Sequence, residues 1–149
     1  MMEDLAETAR DELKRADHSI FVSLKYARTV DIIKNTIKRL ISAIDAGIME
    51  LCEYLKAKKK IKVVPAATKL RADLVTKAYP QTKEYVSFYY LLKDIDHAKY
   101  DKREEFRKNV ELIALVGAER KPVNIEILKE YYRKTVSFID LVDEITGRK

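Results

Sequence analysis

Residues 23–31 read Ser23-Leu24-Lys25-Tyr26-Ala27-Arg28-Thr29-Val30-Asp31, and the layout of the first third of the chain turns on whether a helix runs straight through them. Upstream, Leu5, Ala9, Leu13, Ala16, Ile20, Leu24 and Ala27 recur at helical spacing. Downstream, the stripe resumes at Val30, Ile33, Ile37, Leu40, Ile41, Ile44, Ile48, Leu51 and Leu55. At 1.5 Å per residue, one helix from Leu5 to Leu55 is about 76 Å long. A compact domain of this chain length is roughly 40 Å across. The spacing therefore predicts a hairpin, bent near Arg28-Thr29-Val30-Asp31, with Thr29 or Asp31 capping the second helix. The competing arrangement is a single long helix paired with a second copy of the chain.

Beyond this hairpin, Pro65 fits the first turn of a third helix carrying Leu70, Leu74 and Val75. Tyr79-Pro80 ends it, because a residue before proline avoids the α region. Pro80 opens a fourth helix with Val86, Tyr89, Tyr90, Leu91, Leu92 and Ile95. Val110, Leu112, Ala114 and Val116 then alternate along the chain, followed by Gly117-Ala118-Glu119-Arg120. That pattern predicts a short β-hairpin at 110–123, although a helix ending at Gly117 fits nearly as well. Asn124 caps a last helix with Ile127, Leu128, Tyr131, Val136, Ile139, Val142 and Ile145, and Gly147 stops it. The expectation is an all-α fold, a bundle of about five helices with a long N-terminal helical hairpin and a short β-hairpin at 110–123, forming a single domain over residues 1–149.

Composition agrees with that class. Three Gly and three Pro in 149 residues are too few for the turns of a sandwich or barrel. One cysteine excludes an internal disulfide framework and suits a reducing, cytoplasmic setting. The longest apolar run, Leu112 to Val116, is far short of a bilayer span, so no membrane partner is expected. The N-terminus, Met-Met-Glu-Asp-Leu, lacks the basic-then-apolar order of a signal peptide. A 36% share of charged residues, rich in Lys and Glu, matches the composition of proteins from hot environments, the thermophile pattern.

The net charge of +6 is unevenly spread: residues 31–62 carry +4, ending in Lys56-Ala57-Lys58-Lys59-Lys60-Ile61-Lys62. Such a segment attracts phosphate backbones. It equally suits a helix C-terminus, where lysines complement the macrodipole.

Catalytic groupings are sparse. His18 has no second His or Cys at i+3 or i+4, and three scattered glycines cannot build a phosphate loop or a nucleophile elbow. Cys52 lies in a helical stripe as a small apolar residue. Asp94, Asp96 and His97, with Arg103, are the one set suited to nuclease or phosphodiesterase chemistry. The i, i+2 spacing of the two aspartates puts them on different helix faces, however. No metal and no cofactor is expected.

Lys25, Arg28 and Lys34 are better placed as a binding set, converging on an anion near the start of the second helix. The alternative is internal pairing with Asp31. Tyr85, Tyr89 and Tyr90 could stack on bases, or simply pack at the core edge. Lys93 and Tyr100 bracket the end of the fourth helix and complete the candidate set Lys25, Arg28, Lys34, Lys93 and Tyr100 around one pole.

The order of elements resembles the HEPN family of prokaryotic helical domains, in which a basic residue, a small residue and a Tyr recur ahead of the last helix. Lys93, Ala98 and Tyr100 are the matching positions here. The resemblance implies association with nucleotidyltransferases in toxin–antitoxin modules and, in some members, RNase activity. RNase members carry Arg followed by His after four to six residues. Before His18 those positions hold Asp11, Glu12 and Leu13, and before His97 they hold Tyr90, Leu91 and Leu92. The expected function is thus a non-catalytic helical module binding RNA, DNA or a partner protein. A nuclease and a structural homodimer formed through the first two helices are the alternatives.

Overall fold

A computed structural model describes residues 2–148. It is mainly helical, with a small antiparallel sheet inserted before the last helix. Helix α1 (Met2–His18) buries Ala6, Ala9, Leu13 and Ala16 along one face. Its path continues through a π-helical turn, Ser19–Ser23, and a last helical turn, Leu24–Tyr26. Ile20 and Leu24 carry the apolar stripe through this turn. The π geometry leaves Phe21 and Val22 on the outside, 39% and 41% exposed.

The chain then reverses. Helix α2 (Val30–Ala57) starts where the Thr29 hydroxyl accepts the Ile32 N–H at 3.3 Å, so Thr29 is the cap and the hairpin reading holds. Helix α2 is the axis of the molecule: Ile33, Ile37, Leu40, Ile44, Ile48 and Leu51 are fully buried among α1 and the elements that follow. Gly47 marks the closest approach of the last helix. A Cβ added there would lie 2.8 Å from the Phe138 ring and 3.1 Å from Ile139.

Helix α3 (Thr68–Ala78) begins three residues after Pro65, not at it. Arg71 explains the offset by donating to the carbonyls of Pro65 and Ala66 at 3.0 and 2.6 Å, which ties the connection down before the helix opens. Pro80–Thr82 is a 3₁₀ turn that leads into helix α4 (Lys83–His97).

The all-α expectation needs correction at residues 99–124. The hairpin foreseen at 110–123 is present as β2 (Glu111–Val116) and β3 (Glu119–Asn124), but a further strand, β1 (Lys99–Arg103), pairs with β2 to give the order β1-β2-β3. The register sets Tyr100 opposite Ala114 and Lys102 opposite Leu112, with Lys121 and Val123 as their partners on the other side. Leu112, Ala114 and Val123 join the helical core. Helix α5 (Ile125–Thr146) closes the bundle between an Asn124 cap, whose side chain accepts the Ile127 N–H at 2.8 Å, and Gly147, whose φ of +72° ends it. No described helix is long and apolar enough to cross a membrane.

Candidate functional site

The contacts of Lys25, Arg28, Lys34, Lys93 and Tyr100 do not join all five around one group. Lys34 and Tyr100 do meet, but around a group of the protein's own. The Lys34 ammonium donates to the Asp96 carbonyl oxygen at 2.6 Å and lies 3.4 Å from its carboxylate. It also sits 5.1 Å from the centre of the Tyr100 ring. Lys38 reaches the same carboxylate at 2.9 Å. Burial works to raise the Asp96 carboxyl, yet the hydrogen bond from Lys38 and the charges of Lys34 and Lys38 outweigh it and hold the group below the usual aspartate range. One orphan carbonyl at the end of α4 is thereby capped by a cation, which is what a helix C-terminus favours. The knot is structural.

Lys93 lies over the ring of Tyr89, one turn back on its own helix, at 5.1 Å. The Tyr89 hydroxyl donates to Asp45. Burial first, and then that hydrogen bond, drive its pKa far up. Asp94 and His97 are exposed and stand apart from the Asp96 knot. Among the described residues no three His, Cys, Asp or Glu side chains are grouped as a metal would need. Cys52 is buried, and burial pushes its thiol up to about 11, so it stays protonated and unreactive.

The basic segment 31–62 is also largely answered from elsewhere in the fold. Lys34 and Lys38 engage Asp96, and Arg39 reaches Glu12 at 3.4 Å. Lys56 lines a groove with Glu3, Asp4 and Glu53 at the acidic start of α1. Beyond it Lys58 lies over the Tyr54 ring at 5.4 Å, and Lys59, Lys60 and Lys62 are exposed as a solvated continuation of the end of α2.

A different surface collects cations in a concave setting. A cleft of about 590 Å³ opens between the turn at 27–29, the β1–β2 loop and the start of α5. Arg28, Arg103 and Lys108 line it together with Glu104, Glu111 and Glu126. Glu126 is paired with Lys129 at 3.5 Å. Among the described residues, none of Arg28, Arg103 and Lys108 makes an ion pair. Lys25 and Arg107 belong to the same two segments and are likewise exposed and without an ion pair among the described residues. Asp31, the expected internal partner, is exposed and does not pair with Arg28.

Two contacts stitch the cleft's walls together. The Phe106 N–H donates to the Arg28 carbonyl oxygen at 2.6 Å. The Glu105 carboxylate accepts the Val30 N–H at 2.8 Å, satisfying an orphan donor at the start of α2. Glu104 and Phe106 take left-handed φ values of +54° and +67° to make this possible.

No protein-family model matches the chain, and no curated protein and no solved structure matches it. Sequence reasoning reached Arg28 and Lys25 in this surface, and Arg103 only as an adjunct to His97. It missed Tyr26, Glu105, Phe106, Arg107 and Lys108. A signal existed: in Lys102-Arg103-Glu104-Glu105-Phe106-Arg107-Lys108, a lone aromatic stands in a charge run with no apolar neighbour to carry it into a core.

Proposed function

We propose that the protein is a non-catalytic nucleic-acid-binding module, its contact surface the cleft at Arg28, Arg103 and Lys108. The observation that carries this reading is a set of five cations without ion pairs among the described residues: Arg28, Arg103 and Lys108 line the cleft, and Lys25 and Arg107 belong to the same two segments, which are stitched together beside it. Three of the five are arginines, whose planar forks suit phosphate oxygens better than lysine does. The scattered positions of Asp94, Asp96 and His97 favour binding over hydrolysis, since Asp96 is committed to two lysines. The HEPN resemblance without the Arg/His motif points the same way.

The test is fluorescence anisotropy with labelled RNA and DNA between 50 and 200 mM salt. Affinity should fall steeply with salt, and a triple change of Arg28, Arg103 and Lys108 to Ala should lower the salt slope by about 2, from the 0.7–0.9 expected per phosphate contact. Changing Lys58, Lys59 and Lys60 to Ala should leave the slope nearly intact. Unmeasurable binding at the lowest salt, or a loss that follows the lysine run alone, overturns the proposal.

A further inference from the structure

We infer that this module takes its nucleic acid as a single strand, with unpaired bases stacked on Tyr26 and Phe106; the inference rests on the nucleic-acid reading above and narrows it. Tyr26 is 88% exposed and Phe106 is 75% exposed, whereas Tyr89, Phe88 and Phe138 are buried. Phe21, the next most open ring, is covered from two sides, by Tyr132 edge-on and by Lys129. Among the described residues no ring or cation covers Tyr26 or Phe106 in this way, although a large ring left in water forfeits its burial energy.

Phe106 is also held in the left-handed region, which a bulky residue rarely adopts. The conformation persists because the neighbouring contacts impose it: Phe106 N–H to the Arg28 carbonyl, and Glu105 to the Val30 N–H. The first of these contacts seats Phe106 against Arg28, two residues along the chain from Tyr26. Each ring is flanked by free cations, Tyr26 by Lys25 and Arg28, Phe106 by Arg107 and Lys108.

Cations alone would serve a duplex as well as a single strand. Exposed rings beside them do not, because paired bases are stacked on one another and present no free face. Alternating π-surfaces and phosphate-directed cations are the means by which proteins hold unpaired strands with little regard to sequence.

The experiment compares the intact protein's affinity for an unstructured 20-nucleotide pyrimidine-rich strand with that for the same strand annealed to its complement, at one salt concentration. The single strand should bind at least tenfold more tightly. Tyr26→Ala and Phe106→Ala should each weaken single-strand binding about tenfold, with duplex binding and the salt slope unchanged. Tyr26→Phe and Phe106→Tyr should restore the single-strand affinity, and all four variants should melt within a few degrees of the parent because both rings are exposed. Equal, salt-dependent affinity for both forms overturns this inference and leaves the binding module standing. So do alanine variants that bind the single strand like the parent. Binding to neither form, with sedimentation showing a dimer that Tyr26→Ala dissociates, overturns both readings.

Discussion

The carboxylate of Glu105 closes the N-terminus of a helix that begins 75 residues earlier, at Val30. The helix also has a local cap in Thr29, which serves the Ile32 N–H, so the two side chains divide the orphan donors of one turn. Glu105→Ala should cost about 1 kcal/mol, the usual worth of an N-terminal cap, and Glu105→Gln should cost less because an acceptor survives. The more specific readout is hydrogen exchange. The amides of Val30 and Phe106 should lose protection together, while those in the middle of α2 keep theirs. Loss of protection at Val30 alone would show that the loop is held by something else.

Glu50 poses the opposite electrostatic problem. It is 1% exposed, and burial raises its carboxyl above the ordinary value of 4.5 even though Arg148 donates to it at 3.2 and 3.3 Å. Arg148→Ala leaves that charge buried without its partner and should destabilise the protein by about 2 kcal/mol at neutral pH, less than for a fully buried pair because Arg148 is 29% exposed. A raised folded-state value means the native state holds the proton more tightly than the unfolded chain does, so stability is lost as pH rises through it. The gap between variant and parent should accordingly narrow as pH falls from 7 toward 4.5 in urea titrations. A gap that stays constant or widens on acidification would show that Arg148 acts through packing.

Gly47→Ala tests the crossing of α2 and α5. Alanine is the better helix former by about 1 kcal/mol. Its methyl group would nevertheless meet the Phe138 ring at 2.8 Å and Ile139 at 3.1 Å, both buried residues with no solvent to move into. A net loss of about 1–2 kcal/mol is expected, seen as a lower urea midpoint with an unchanged m-value. A raised midpoint would mean that the two helices can separate without penalty.

What the sequence makes legible follows from the range of the interactions involved. Thr29, Asn124 and Gly147 act within one turn of their own positions, and each marks a helix end that can be read from neighbours alone. Strand β1 cannot be read that way. Lys99-Tyr100-Asp101-Lys102-Arg103 shows no apolar alternation, and it is extended because β2 offers it a row of hydrogen-bonding partners. The start of α3 was displaced from Pro65 by Arg71, six residues further on. Charge is the least local property of all. The excess in 31–62 looks like a binding face until Asp96 and Glu12 arrive from distant elements, while Glu105, the acid nearest in sequence to Arg103, Arg107 and Lys108 after Glu104, is turned to the Val30 N–H and to Lys102.

The order of the sheet limits who can associate with it. Its two outer strands are β1, with charged side chains at four of five positions, and β3, where Pro122 has no N–H to offer a neighbour. A fourth strand added at β1 would have to set its own side chains against a dense row of like and unlike charge, and one added at β3 would meet a gap in the ladder. Growth by strand exchange, the route by which small sheets polymerise, is thereby disfavoured at both borders, and the three strands end as a closed patch rather than a template.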